Sequence, residues 1–597
     1  MTSLTASGRT LLVLSISAMA TAAQAQVSAP TREEIQRVPS APAVGPPSRL
    51  TVEGGIERAP CPLADPRFAD VSVTVNEVVF DNLRLVSPAL LRPAYEAFVG
   101  KTVPIATVCE IRDAAATILR REGYLAAVQV PAQRIENGVV HFDVLMAKLV
   151  SVQVRGDAGR SERIIAGYLN KLTGQEVFNQ KYAERYLLLA RDLPGFDVRL
   201  TLRPAGTVPG EVIGEVSVVK VPFTVDANVQ NLGSRDVGRW GGLIRGQFHD
   251  ILGGDRLTAG IYSTAQTSEQ NVAQLGYDIA LGSEGFTLGG RFTYAWTTPD
   301  LGPRTQDDIV HSTTLVASLE AAYPVLRTQA TNVRAAAGFD VINQKTRILG
   351  SLEALDHVRV LYGRIDFEAI DRASVSSTQG YSISEPRWRL AGSYEFRKGL
   401  DILDASDTCR PIGPACLASP TLSRPEGDPQ AALIRFSGVA EYRPGPGFAF
   451  VLSPRAQYTR RALVSYEEYS AGNYTIGRGY DPGTIIGDKG LGFQAEVRFG
   501  SLSPKSQESF AFQPYVFLDQ AWVWNNDSRT QRPNYPTGND LTSAGVGMRA
   551  VYGTHGRLDV ALAKPLRAAG LPVAPATQPV KGDVRLLVSL TTKLIPW

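Results

Sequence analysis

Along the last three-fifths of the chain, apolar and polar residues alternate one for one. Phe286, Leu288, Gly290, Phe292, Tyr294 and Trp296 fall on one parity, and Thr287, Gly289, Arg291 and Thr293 on the other. Ala273, Leu275, Tyr277, Ile279 and Leu281 oppose Gln274, Gly276 and Asp278; Ala544, Val546, Met548, Ala550 and Tyr552 oppose Gly545, Gly547 and Arg549. A period of two predicts strands with one apolar and one polar face. From Phe223 onward no helical period persists, and about sixteen such runs of roughly 10–15 residues are divided by turn residues. Strands of a soluble sandwich average only about 5–6 residues. Long strands with an aromatic-ended apolar face predict a membrane β-barrel of about 16 antiparallel strands over 222–597. The connections are unequal, long at 405–428 and 459–488 and tight at Gly282-Ser283-Glu284-Gly285. Long loops on one side and short turns on the other belong to the same architecture.

Residues 71–221 follow a different rhythm, β-α-α-β-β, and follow it twice. In the first copy, 71–148, a strand at 71–80 precedes a helix at 88–98 capped by Ser87, and Pro104 opens a second helix running to Arg121. Strands at 126–133 and 139–145 then flank Asn137-Gly138, a hairpin signal. The second copy, 149–221, has a strand at 149–155, helices near 161–172 and 180–193, and strands at 196–203 and 211–221. Tyr182, Tyr186, Leu189, Ala190 and Leu193 recur at helical spacing and mark a core face. Two α+β modules therefore precede the barrel.

The start of the chain reads as an address. Arg9 precedes an apolar run over 10–20, and Ala23-Gln24-Ala25 fits a cleavage site, so 1–25 is expected to be a signal peptide. Residues 26–70 are a Pro-rich tether in which Thr31-Arg32-Glu33-Glu34 fits a capping box, predicting one short helix within 31–38. Beyond the leader no apolar run is long enough for a membrane-crossing helix, which leaves a closed barrel as the other way to cross. The 597 residues carry 61 basic and 58 acidic side chains, a formal net charge of +3, and no basic run that would suggest nucleic acid.

Candidate chemistry is sparse. Of the four cysteines, Cys409 and Cys416 bracket a short loop and are expected to pair in an oxidising compartment, leaving Cys61 and Cys109 to each other. His141, His249, His311, His357 and His555 are scattered and form no metal site. Gly100-Lys101-Thr102 is not a phosphate loop, because Tyr95 stands where that loop needs glycine. No nucleophile, base and acid come together in the sequence, so neither an enzyme nor a cofactor is expected.

The stretch 476–500 is the most specific. Gly477, Gly479, Pro482, Gly483 and Gly487 keep its first half from forming a helix, while Gln494, Glu496 and Arg498 share the polar parity of its second half. Downstream, Asp519 lies on a strand with Tyr515 and Phe517, opposite Leu518 and Trp522. Arg478 is expected to reach into the lumen and form a half-solvated pair with Asp519, with Tyr480 beside the strand carrying Phe517.

Gly477-Arg478-Gly479-Tyr480 resembles the VRGY motif, and Phe517-Leu518-Asp519-Gln520-Ala521 the F-x-D-x-G motif, of the outer-membrane transporters of two-partner secretion, a branch of the Omp85 superfamily. Arg191-Asp192-Leu193-Pro194-Gly195, Asn231-Leu232-Gly233 and Gly254-Asp255 resemble the same family, and the paired modules match its two POTRA domains. Gly477 stands in place of the family's valine and Ala521 in place of its last glycine. The resemblance implies a monomeric pore in the bacterial outer membrane with its POTRA domains in the periplasm. It implies export of a large, β-rich partner exoprotein, an adhesin or a cytolysin, unfolded and without ATP. Arg478, Gly479, Tyr480, Glu496, Phe517 and Asp519 would form the seat of a gating loop. The family's pore-plugging N-terminal helix is longer than the helix signal near Thr31. The alternatives are an Omp85 assembly factor, which usually carries three or more POTRA units, and a plain solute channel, which would not need the periplasmic modules.

Overall fold

The structure, a computed structural model, describes residues 30–36, 61, 63, 65–206, 208–300, 310–376, 380–409, 418–526, 538–569 and 582–595. The expected signal peptide lies outside these residues. Sixteen antiparallel strands, from Phe223–Gln230 to Arg585–Lys593, close into a barrel in which the last strand bonds the first. Closure satisfies the strand backbones without water, which hydrocarbon requires. Phe292, Tyr294 and Trp296 face outward, as do Val516 and Leu518, while Asp519 and Glu496 are buried inside. Some strands exceed the expected length: Val310–Arg327, Thr331–Ile348 and Ser351–Ile370 run 18–20 residues. About 9–11 residues cross a bilayer, so these three stand well proud of it. The turn between the last two is only Leu349 and Gly350, both at positive φ, so not every connection on the long-loop side is long.

Both modules ahead of the barrel are α+β. In the first, the strands Glu77–Asp81, Val139–Met146 and Ala126–Gln129 form one sheet against the helix Thr107–Arg121. Val75, Ile111, Leu119, Val140 and Phe142 are its core. Three expectations need correction here. The first predicted helix is a 3-10 turn, Pro88–Ala94, without a side-chain cap from Ser87; Pro93 within it supplies no N–H for an α-helical bond. The single strand at 71–80 is two, Ser72–Val75 and Glu77–Asp81, and the first of them pairs with an unforeseen strand, Lys101–Pro104. The strand at 126–133 stops at Gln129. Beyond it the Gln133 carboxamide replaces the ladder, donating to the His141 carbonyl (2.7 Å) and accepting the His141 N–H (2.8 Å). Asn137 and Gly138 do turn with positive φ (55° and 75°).

In the second module, strands Lys148–Gly156, Glu211–Lys220 and Phe196–Pro204 form a sheet covered by helices Glu162–Thr173 and Gln180–Arg191. Tyr186, Leu189, Ala190 and Leu193 belong to its core, as their spacing predicts. This module grips three short turns of the barrel. Asp250 accepts the Ser161 hydroxyl (2.6 Å) and the Arg160 N–H (3.0 Å) and pairs with Lys220. Lys171 pairs with Glu284 (2.8 Å), and Asp192 with Arg327 (2.6 Å).

Cys61 is disulfide-bonded to Cys109 at the start of the first module's helix, with a Cα separation of 6.0 Å. Cys409 is also disulfide-bonded, and Cys416 lies outside the described residues. His141, His357, His311 and His249 contact Asp81, Asp404, Thr298 and the Val221 carbonyl respectively.

Candidate functional site: a loop seated in the lumen

The connection at 459–488 turns back into the barrel. Its tip is a turn with Gly477 at φ 118°, a conformation that valine would not tolerate and that Leu541 leaves no room for a Cβ to share. The turn delivers Arg478 to the inner wall. There its backbone N–H and Nε donate to Asp519 Oδ2 (2.8 and 3.1 Å), and Nη2 donates to Oδ1 (2.7 Å). Nη1 donates to Glu496 Oε1 (2.6 Å). Asp519 also accepts the Ser543 hydroxyl (3.2 Å), whose oxygen takes the Gly479 N–H (3.2 Å). A Cβ at Gly479 would press on the backbone of Pro565 and on Ser543 at 2.8 Å. Any side chain at that position would lift the loop from its seat.

Aromatic rings floor the site. The Arg478 guanidinium lies 3.7 Å from the Phe517 ring centroid, and that of Arg549 lies 4.0 Å from Tyr515. Directly across the ladder, Gly545 faces Phe517 and Gly547 faces Tyr515. A Cβ at either glycine would come within 2.6 Å of the ring, so the glycines make space for the rings to lie flat. Arg549 forks both Glu496 oxygens (2.9 Å each) and reaches Asp559 (2.9 Å), and Arg498 adds a third cation to Glu496 (2.7 Å). The Tyr480 ring packs with Ala521, Val523 and Leu541, and its hydroxyl lies 2.8 Å from the carbonyls of Thr542 and Arg567.

Arg478, Gly479, Tyr480, Glu496, Phe517 and Asp519 are thus brought together. The solvation of the pair differs from expectation: Arg478 is 9% exposed and Asp519 fully buried. A loop packed into a lumen excludes water in a way that neither strand nor loop alone discloses. Removing one partner of a buried pair leaves an uncompensated charge and costs about 3–5 kcal/mol, more than an exposed pair's about 1 kcal/mol or less.

Other members of the site were not foreseen. Arg549 and Arg498 carried a parity signal but no sign of their partners. Upstream in the same loop, Glu467 is clasped by Arg397 (2.9 Å) and Arg435 (2.6 Å), and Arg397 also holds Asp340 (2.8 Å). Arg424 bridges Asp488, Glu468 and Glu426 at the loop's end. The short helix is present as Arg32–Ile35 with its capping box formed, and it lies within the barrel. Glu33 pairs with Arg455 (3.0 Å), and Gln36 donates to the Tyr466 hydroxyl (2.9 Å). Ile35 is buried against Leu243, Tyr262, Val272, Val464 and Tyr466. One lumenal cavity beside it has a volume of about 640 Å³ and is lined by polar and charged side chains, Arg245, Arg256, Arg291 and Glu395 among them.

A closed sixteen-stranded barrel with an Arg-Gly-Tyr loop seated in its lumen and α+β modules ahead of its first strand defines a membrane β-barrel protein with appended soluble modules. Residues 215–550 match the model of the haemolysin secretion/activation protein family ShlB/FhaC/HecB, and residues 73–146 match that of the ShlB-type POTRA domain; the chain belongs to this family. In fold it is similar to CdiB from Escherichia coli, at 15% identity over 100% of both chains with a TM-score of 0.66. It is similar to CdiB from Acinetobacter baumannii, at 16% identity over 99% of this chain and 100% of that one, with a TM-score of 0.58. A BamA from Haemophilus ducreyi lacking POTRA domains 1–3 matches 88% of this chain and all of its own at 13% identity, with a TM-score of 0.51. Among curated proteins none matches.

Proposed function

We propose that the protein exports a large, β-rich partner exoprotein, unfolded and without ATP, after its POTRA domains capture an extended segment of that partner. The observation that carries this reading is the state of the lumen. It is obstructed by two elements, the helix Arg32–Ile35 and the loop at 459–488, and neither supplies a strand to the barrel. Both can leave without breaking the ring of backbone hydrogen bonds, so an obstructed pore becomes a channel while the barrel stays closed. In this reading Arg478, Asp519 and Glu496 set the gate, and sheet edges of the POTRA domains pair with the arriving chain. The channel acts as a monomer, since one barrel encloses the whole path, and folding of the exported chain outside gives direction.

Deleting 71–145 tests the division of labour. With Cys61→Ser included to avoid a stray thiol, the variant is expected to insert as a heat-modifiable barrel and to export no partner. Export at the wild-type level would refute the capture role.

A further inference from the structure

The ring of strands is least complete where its ends meet. The last strand, Arg585–Lys593, pairs with its earlier neighbour from Arg585 opposite Ala563 to Thr592 opposite Gly556. With the first strand it pairs only from Ser589 opposite Gln230 to Lys593 opposite Asp226. Residues 585–588, on the side of the long loops, therefore face no strand across the seam.

Side chains close this half. The Asn231 carboxamide donates to the Leu586 carbonyl (2.8 Å) and accepts the Val588 N–H (2.7 Å), while the Asn231 backbone N–H donates to the Val588 carbonyl (3.1 Å). It serves as a surrogate peptide group for one more step of the ladder. The remaining contacts come from the seated loop. Asp481, next to Tyr480, pairs with Arg585 of the last strand (2.7 Å) and with Arg239 of the segment joining the first two strands (3.1 Å). Its other oxygen accepts the Arg235 N–H (3.4 Å). Asn473, at the opposite end of the same turn, donates to the Leu232 carbonyl (2.9 Å).

We propose that Asp481 is a latch on the barrel seam, through which the seated loop holds the upper half of the first and last strands together. It rests on the gating reading of the loop and adds a second target for that loop. Asp481 is a positioning residue that acts through two arginines, one on each side of the seam. With the carboxylate in place one negative charge bridges both cations and offsets their repulsion; without it two positive charges face each other across a short ladder. Asp481 lies three residues from Arg478, which is fixed on Asp519 through backbone and side chain alike. A loop displaced far enough to release Arg478 also withdraws Asp481. Release of the gate and loosening of the seam are then one event.

Hydrogen–deuterium exchange of the full-length protein in lipid nanodiscs tests this. In Asp481→Asn, amides at 585–589 and 229–232 are expected to exchange at least tenfold faster, with 556–563 unchanged. Asp519→Asn, which does not touch the seam, is expected to speed the same seam amides, a result that a purely local role for Asp481 would not give. Wild-type exchange at the seam in either variant would overturn the latch. If Asp481→Asn does not assemble, Arg239→Gln, which removes one clasp, is read in the same way. The readout is independent of any partner: loss of export with an unmoved seam would sink the latch and leave the gate standing.

Discussion

Arg478 makes four hydrogen bonds to two carboxylates on neighbouring strands, and no other cation can replace that fork. Arg478→Ala is expected to lose most export and to destabilise the seated loop by about 3–5 kcal/mol, with the barrel still assembled. Arg478→Lys should recover little, because one ammonium cannot span Asp519 and Glu496. Exchanging the charges, Arg478→Asp with Asp519→Arg, should not restore export, because the new aspartate would stand beside Glu496. Recovery to wild-type export in the swap would show that the pair acts alone and that the surrounding network is idle.

A second residue-scale prediction concerns Asp250 at the junction of the second α+β module and the barrel. Burial alone would raise its carboxyl, but Lys220, the Ser161 hydroxyl and the Arg160 N–H outweigh it and hold the group below its ordinary value. A carboxyl depressed in the folded state stabilises above its unfolded value of about 3.9, and that contribution is lost as pH falls through the folded value. Fluorescence anisotropy of a label on Val208→Cys should therefore hold steady from pH 7 to about pH 5 and fall below about pH 4. In Asp250→Asn the anisotropy should already be lower at pH 7. An acid step of unchanged size in that variant would assign it to the other interface carboxylates, Asp192 and Glu284.

At the scale of elements, four residues of helix could not be stable alone, since isolated helices shorter than about 12–15 residues are marginal in water. The helix Arg32–Ile35 persists because its capping box is complete and Ile35, Glu33 and Gln36 each find a partner in the lumen. Ile35→Asp should expel it, and single-channel recordings in planar bilayers should then show more frequent high-conductance openings than wild type. Unchanged recordings would mean that the loop alone closes the pore. The loop is anchored by more ion pairs, from Arg424 to its Glu468 and Asp488 and from its Arg478 to Asp519 and Glu496.

Across the whole molecule, the second α+β module holds three barrel turns at once, so it should ride with the barrel as one body. A Cβ at Gly167 would lie 3.3 Å from the Ser283 Cβ, close to the 3.5–4.5 Å at which disulfides form. Gly167→Cys with Ser283→Cys should cross-link in the oxidising periplasm and leave export near the wild-type level. Export that stops on cross-linking and returns on reduction would show that this domain has to swing away.

What the sequence by itself determined is what depends on neighbours along the chain. A two-residue period fixes which side chains face lipid, so Leu518 and Asp519 are placed on opposite faces before any partner strand is known. The turn glycines, the capping box at Thr31 and the helical stripe through Tyr186 and Leu189 are equally local, and the family motifs tied them to one architecture. Where local signals misled, a proline or a side chain had replaced backbone bonding, as at Pro93 and Gln133. Only the tertiary structure decided who meets whom. Parity puts Arg549 in the lumen but cannot say that strand stagger and barrel closure bring it to Glu496, or that the loop returns to bury Arg478 against Asp519. The meeting of Asp481 with Arg239 and Arg585 is more remote still, joining the two ends of the barrel through a loop from its far side. Such contacts depend on register and closure summed over sixteen strands, and no window of sequence contains that sum.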